Sequence, residues 1–569
     1  LSFLRRLTSP SRNPEVNITG AEWLIQCLED QGVTCVAGVP GGAVLPLYDA
    51  LARSTRIRHV LARHEQGAAF IAQGMARSTG RAGVCLASSG PGATNLLTAI
   101  ADAKHDSVPL ICITGQVPTS LIGTDAFQEV ATIELARPIT KGCFFLGAAA
   151  DIGATLTKAF ALAESGRPGP VLIDIPKDVQ LASVTPTPRA ASRPDRALPP
   201  DASYQTVAEW LMQAERPLLY VGGGVVKARA EALVRQLSER ANVPVVATLM
   251  ALGVMPPRSP LNLHMLGMHG ARFTNAAIDE CDLLIALGAR FDDRATGRVA
   301  AFAPRARIVH IDIDPRELGK IKSIDLAIAD DAAHAASELL ARAQRRERPA
   351  WLERIANLRR ELPLKRSPLC AMLRSVAEIA GPDAFVTTDV GQHQMWVAQH
   401  YPFERADRWL TSGGLGTMGF GLPAAIGATL AHPSATALCF TGDGSLLMNI
   451  QELATLAELQ ANVKVILLDN AALGLVHQQQ QLFYGGNLLA SRYERPSDFL
   501  AIARAFGIEA MQLESLSATE LAAVLRRQGP ALLRMSVNAS SHVMPMVAPG
   551  AANVDALDNE IEMSDYAIG

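Results

Sequence analysis

The chain has 569 residues, too many for a single hydrophobic core, and this length predicts three domains of about 150–200 residues. Its net charge of −3 offers no basic excess for nucleic-acid phosphates or an anionic membrane surface, which argues against both partners. Hydrophobic residues make up 49% and no run of 18 or more apolar residues occurs, so no transmembrane helix is expected. The eight cysteines lie scattered without CxxC pairing, several inside apolar runs such as AGVCLAS and TALCFTG. Buried reduced thiols and a reducing compartment follow, the cytoplasm if the source is bacterial, with organelle import still open.

In chain order, LSFLRRLTSPSRNP is basic and lacks acids, so residues 1–16 read as a flexible leader. An organellar transit segment stays open beside a disordered bacterial one. From 17 to 184, short β-branched runs (AGVCLASS, PLICITG, PVLIDIP) alternate with Ala/Leu-rich helical patterns, the signature of a parallel sheet with crossover helices. Residues 185–203, within SVTPTPRAASRPDRALPPDAS, are rich in Pro and Arg and predict a linker. A second such block covers 204–343, and the charged, partly helical, proline-punctuated stretch 344–368 reads as a second linker. A third block covers 369–539, and 540–569 is an irregular tail. The fold class is therefore α/β, with three domains each holding a central, mainly parallel sheet flanked by helices. The first and third blocks match in size and pattern, which hints at duplication.

The segment ATALCFTGDGSLLMN predicts a strand, a turn of Gly442, Asp443, Gly444 and Ser445, and a helix start. Glycines let backbone approach a phosphate, a helix N-terminus favours the negative charge, and a carboxylate there suits Mg²⁺. Alone, GDG often only closes a βα unit. Asn470 ends the next hydrophobic run, VKVILLDN, and adjacent parallel strand ends can bring it beside Asp443 to share a cation. Nearby, GLGTMG matches a dinucleotide pattern, but RWLTSG before it makes a poor strand and no suitable acid follows. Glu65, in LARHEQGAAFIAQGMAR, heads a helix, where it is either a dipole-complementing acid or a working carboxylate.

GDG followed at this distance by Asn resembles the thiamine-diphosphate fingerprint, although Asp469 stands where the first Asn of the usual pair would be. The resemblance implies that the carbonyl of Ala472 completes the metal set of Asp443 and Asn470. It makes Met418 the apolar support of a bent cofactor, against the glycine-rich segment. It makes Glu65 the carboxylate that activates the aminopyrimidine by general acid–base catalysis.

The match is wider. GVPGGAVLPLYDAL, RHEQGAAFIAQGMAR, SSGPGATNLLTAI, GQVPTSLIGTDAFQE, RPGPVLIDIPKDVQ, LGMHG, GARFDDRATG, TDVGQHQMW and TSGGLGTMGFGLPAAIGA together resemble the FAD-containing large catalytic subunits of the acetohydroxyacid synthase (acetolactate synthase) family. That family decarboxylates pyruvate and transfers the hydroxyethyl carbanion to a second 2-keto acid, pyruvate or 2-ketobutyrate, in valine, leucine and isoleucine biosynthesis. The resemblance implies pyrimidine-binding, FAD-binding and diphosphate-binding domains, with thiamine diphosphate, Mg²⁺ and FAD as cofactors. It implies a homodimer or homotetramer with active sites between chains, and a small regulatory subunit.

Carried over by position, thiamine diphosphate would meet Pro40, Glu65, Gly391, Gln392, His393, Gly416, Met418, Gly442 to Ser445, Asn470, Leu473, Gly474 and Leu475. FAD would meet Arg167, Gly222, Gly223, Gly224, Thr248, Leu249, Met250, Leu266, Gly267, Met268, His269, Gly288, Arg290, Asp292, Arg294, Asp312, Ile313 and Asp331, with Asp330 in place of the usual Gly. Gln128 and Lys177 would join Glu65 and Arg294 as catalytic residues, and Phe127, Met268 and Gln479 would line the substrate pocket. A guanidinium such as Arg294 suits the acceptor carboxylate; an ion pair with Asp292 or Asp293 is the plainer alternative. Gln479, in LGLVHQQQQ, stands where the family carries the Trp that favours 2-ketobutyrate, which predicts weakened preference for that acceptor. The same change predicts reduced sulfonylurea or imidazolinone binding. An FAD-dependent pyruvate oxidase, another thiamine-dependent decarboxylase, or a non-catalytic paralogue are the alternatives.

Overall fold

The computed structural model describes residues 17–186, 201–364 and 369–558. The expected leader, most of the first linker and the last residues of the tail lie outside these. Three six-stranded sheets form, and every pairing in them is parallel. Their strands are short and buried on both faces, as in Leu110–Gln116 and Val463–Asp469, which explains the unbroken apolar runs in the sequence.

With strands numbered in chain order within each sheet, the first and third sheets share the order 2-1-3-4-6-5. The middle sheet runs 3-2-1-4-5-6. The shared order accords with a duplicated first and third domain. In each sheet the order reverses beside strand 1, opening a crevice at the carboxyl ends of the strands.

Trp409–Thr411 is a strand after all, despite its unpromising sequence. It is a three-residue edge strand paired on one side with Phe385–Thr388, so it needs little local propensity. The stretch expected as a second linker carries the helix Pro349–Glu361. Its Trp351, Ile355 and Leu358 pack into the core of the middle domain, and Arg348 caps carbonyls of Leu211, Ala214 and Ala241. The segment after 540 is irregular but anchored: Val543, Met546 and Val547 are buried, and the Val547 amide donates to the Met268 carbonyl.

The first and third domains share a core. Helix Glu65–Thr79 crosses helix Gly421–Ala431 so closely that side chains are excluded at the crossing. A methyl group on Gly74 would overlap the Ala424 carbonyl, and one on Gly427 would overlap that of Ile71. Gly74→Ala is therefore expected to cost about 1–3 kcal/mol by overpacking. Urea denaturation checks this; unchanged stability would mean that the two helices have room to part.

Candidate active site

The crevice of the third sheet lies between strands Phe385–Thr388 and Ala437–Gly442. Asp443 leaves the second of these and is buried. Gly444 donates to its Oδ1 at 2.8 Å and the Ala472 amide to its Oδ2 at 3.0 Å. The same Ala472 amide donates to Asn470 Oδ1 at 3.1 Å, so carboxylate and amide oxygens converge on one point. Ala471 between them has φ of 53°, a left-handed turn that brings the Ala472 amide back to the Asn470 side chain. Burial, then the charge of Asp469, pushes the Asp443 carboxyl up to about 7. Asp469 itself is buried and paired with Arg534 at 2.7 Å. Among the described residues no cluster of three or more His, Cys, Asp or Glu side chains could hold a metal. This set instead mixes a carboxylate, an amide and a carbonyl, the oxygen chemistry that suits Mg²⁺.

On the facing strand end, Asp389 is buried and accepts from Gly421 N and Thr441 Oγ1, tying that helix to the sheet. His393 follows on helix Gln392–His400, packed where Gly442 lacks a side chain. Its Nε2 is buried without a hydrogen-bond partner. Such an orphan nitrogen in a polar crevice fits an anionic cofactor group. Met418 lies against Gly444, as do Leu473 and the Tyr493 hydroxyl.

A cavity of about 710 Å³ opens between the middle domain and its two neighbours, within the range for cofactor sites (~300–1,000 Å³). Every residue assigned above to FAD lines it except Gly267, which sits between two that do. Gly222 and Gly224 press on Gly288 so tightly that any side chain would overlap its backbone, which lets the strand ends approach a ligand. Arg167 pairs with Glu317 at 2.8 Å, and Arg290 donates to the His105 carbonyl at 2.8 Å. Asp331 caps helix Ala332–Arg342, and the Asp330 carboxylate bonds Tyr204 and His334. Gly416, Leu475 and Gln479 line the same cavity, so it runs on towards the third-domain crevice.

Arg294 reaches the cavity. Its Nε is 3.7 Å from Asp293, both side chains being largely exposed, and its Nη1 lies 3.6 Å from Met268 Sδ. Asp292 instead caps its own short helix through Ala295. The expected ion pair is thus loose, leaving the guanidinium available.

The remaining predicted residues gather elsewhere, at the crevice of the first sheet. Glu65 starts its helix after the second strand and accepts from Asn95 Nδ2 at 2.9 Å. Pro40 follows the first strand. Gln128 holds φ of 63° against Gly90, a strained conformation of the kind found at functional sites. Phe127 beside it is 87% exposed. Lys177 begins helix Lys177–Leu181, whose Asp178 ties down Thr119 of the same loop. None of these five lines the large cavity of their own chain.

Three family models match along the chain: thiamine pyrophosphate enzyme N-terminal TPP binding domain over 18–135, central domain over 204–339, and C-terminal TPP binding domain over 389–535. Acetolactate synthase isozyme 1 large subunit of Escherichia coli is 51% identical over 558 residues, covering 96% of this chain and 99% of that protein. Isozyme 2 of the same organism is 44% identical, covering 95% and 100%. The chloroplastic acetolactate synthase 1 of rice is 44% identical, covering 95% and 87%.

The chain belongs to the acetolactate synthase family of thiamine pyrophosphate enzymes.

Two features of this acetolactate synthase family member escape any motif. Arg77, Asp102 and Asp106 of the first domain grip the glycine-rich loop of the third. Arg77 bonds both carboxylates, at 3.0 and 2.9 Å, and the Thr411 carbonyl. Asp106 accepts from the Gly413 and Gly414 amides at 3.1 and 2.7 Å, and Asp102 from Ser412 and Thr417. Lys227, Ser107 and Met395 line the cavity and were equally unmarked.

The second is the glutamine run, on helix Gly474–Phe483. Gln478 is fully buried and bonds Gln392 and Val543; Gln479 faces the cavity; Gln480 holds the Leu489 backbone; Gln481 meets His542 at 2.7 Å.

Burial holds the His393 imidazole at about 3, against an ordinary 6.5. Acid therefore protonates the unfolded chain before the folded one, and the stability present above pH 6.5 is lost as pH falls towards 3. From pH 7 to 5.5 this group alone should cost about 1 kcal/mol. Urea midpoints of the cofactor-free protein at those two pH values should lie closer together in His393→Gln than in the wild type; an equal gap would place the acid sensitivity elsewhere.

Proposed function

We propose that the protein makes 2-acetolactate from two molecules of pyruvate with loss of CO₂, and 2-aceto-2-hydroxybutyrate when 2-ketobutyrate is the acceptor. The Asp443 and Asn470 oxygens that meet at the one Ala472 amide, beside the unpartnered His393 nitrogen, carry this reading. Those two oxygens, with the Ala472 carbonyl, would hold Mg²⁺. Gly391 to His393, Gly442 to Ser445 and Leu473 to Leu475 would close on the diphosphate. Thiamine diphosphate supplies the electron sink that makes decarboxylation of a 2-keto acid possible.

This chain's own residues then bind, orient and move protons. His393 keeps its Nδ1–H on the Asp389 carbonyl and would donate from Nε2 to a phosphate oxygen once the diphosphate charge has drawn a proton onto that nitrogen. Glu65, steadied by Asn95, would hold and return a proton at its carboxylate. Arg294 would meet the acceptor carboxylate. FAD would fill the large cavity, where the Gly222–Gly288 approach fits a dinucleotide. Glu65, Gln128, Lys177 and Phe127 would serve the crevice of a second copy, which supports a homodimer or homotetramer. A small regulatory subunit is a further expected partner, since the Escherichia coli relatives are named as large subunits. Among the described residues no helix is long and apolar enough to cross a membrane.

Glu65→Gln should lower acetolactate formation about 10²–10⁴-fold, while thiamine diphosphate with Mg²⁺ still raises the melting temperature. Undiminished turnover would remove Glu65 from the chemistry. With equal pyruvate and 2-ketobutyrate, the wild type should yield mostly acetolactate. Gln479→Trp should shift the product ratio towards acetohydroxybutyrate by roughly ten-fold, the worth of one well-packed methylene. A wild type already biased to acetohydroxybutyrate would mean that another residue supplies the pocket wall.

A further inference from the structure

We propose that Gln478 is a positioning residue: acting through Gln392, it locks the Asn470 amide from behind in the sense that the Ala472 N–H sets from the front, with the oxygen towards the metal. The inference rests on the metal reading of Asp443 and Asn470 given above.

A side-chain amide can turn over, exchanging oxygen for NH₂, and only its partners fix the choice. Backbone groups cannot exchange roles. The Val543 N–H only donates, and the Val543 and Ser541 carbonyls only accept. Gln478 must therefore turn its Oε1 to the Val543 N–H, at 2.9 Å, and its Nε2 to the Val543 carbonyl, at 3.0 Å. Gln392 now faces two acceptors, Gln478 Oε1 at 2.9 Å and the Ser541 carbonyl at 2.8 Å, so its Nε2 must donate to both. That leaves Gln392 Oε1 on the other side, where it takes Asn470 Nδ2 at 3.0 Å. Asn470 Oδ1 is thereby turned to the Ala472 N–H, the donor it shares with Asp443 Oδ2. Reversing any one amide would set oxygen against oxygen or NH₂ against NH₂. At the end of the chain it would offer a hard cation a nitrogen with no available lone pair.

The arrangement is buried and dry enough for these preferences to count: Gln392 and Gln478 are both buried. Gly474 leaves the necessary space. A side chain there would strike Gln392 Oε1 and come within 2.7 Å of Asn470 Nδ2. The orientation of a metal ligand is thus held from one side by the Ala472 N–H and from the other by backbone groups of Ser541 and Val543, some seventy residues further along the chain.

Removing such an outer partner typically weakens metal binding 10–100-fold. The test uses the full chain with thiamine diphosphate present, and Mn²⁺ as the probe, titrated by electron paramagnetic resonance. Gln478→Met keeps the volume and deletes both polar ends. It should weaken Mn²⁺ 10–100-fold, and the loss of the partner of the Val543 N–H and carbonyl should lower the melting temperature as well. Gln481→Ala, which cuts the neighbouring glutamine's bond to His542, should leave Mn²⁺ affinity at the wild-type value. Should Gln478→Met not fold, Gln478→Asn carries the same expectation, being too short to reach Gln392 and Val543 together. Unchanged Mn²⁺ affinity in the folded Gln478 variant overturns the proposal. So does an equal loss in Gln481→Ala, which would make anchoring of the following segment the cause. If instead wild type and Asp443→Asn bind Mn²⁺ alike, the metal reading itself falls, and the proposal with it.

Discussion

A guanidinium buried between two carboxylates joins the domains. Arg77 has 7% of its side chain exposed, and Asp102 and Asp106 have none. Taking such charges out of water costs several kcal/mol each, so each depends on the others being in place. Burial and the charge of Asp106 push Asp102 up to about 6. At Asp106 the burial that would raise the carboxyl is outweighed by Arg77 and Lys227, which hold it below its ordinary range. The oxygens left over fix the Gly413 and Gly414 amides, a stretch with too few side chains to hold its own shape. That loop walls the large cavity and leads into Met418, so one ionic cluster sets the boundary between the large cavity and the third-domain crevice.

The three crevices repeat one physical solution. Parallel strands end together, and at the reversal point nothing crosses between the neighbouring ends. Glycine at Gly222, Gly288 and Gly442 then lets backbone or a packed ring come close. Polar side chains follow directly, held by amides rather than by other charges, as Asp443 is by Gly444 and Ala472. The first and third domains, which match the two TPP binding domain models, present equivalent crevices, and the middle one walls the large cavity.

What could be foreseen from the sequence was what is local. Asp443 and Asn470 sit at the ends of adjacent strands because a βα unit is short, and the apolar runs announce those strands. The glycine-rich turn after YVGGG is local in the same way. Arg77, Asp102 and Asp106 are ordinary helix residues until folding brings Ser412 to Gly414 across some three hundred positions, and no periodicity encodes that. Trp409–Thr411 borrows its strand geometry from a neighbour, and Pro349–Glu361 looks like a charged linker because only one stripe of it is buried. The buried pairing of Gln392 with Gln478 is hidden for the opposite reason: in a run of four identical residues, composition cannot say which one turns inward.

That run sets unequal tolerance to substitution. Gln478 and Gln481 answer to fixed partners, and Gln480 to a loop carbonyl, whereas Gln479 makes no side-chain hydrogen bond among the described residues and only faces the cavity. A substitution at 479 should therefore cost little in folding, whereas one at 478 strands the Val543 N–H and carbonyl. Tolerance and constraint alternate along one helix turn because each residue points at a different part of the protein.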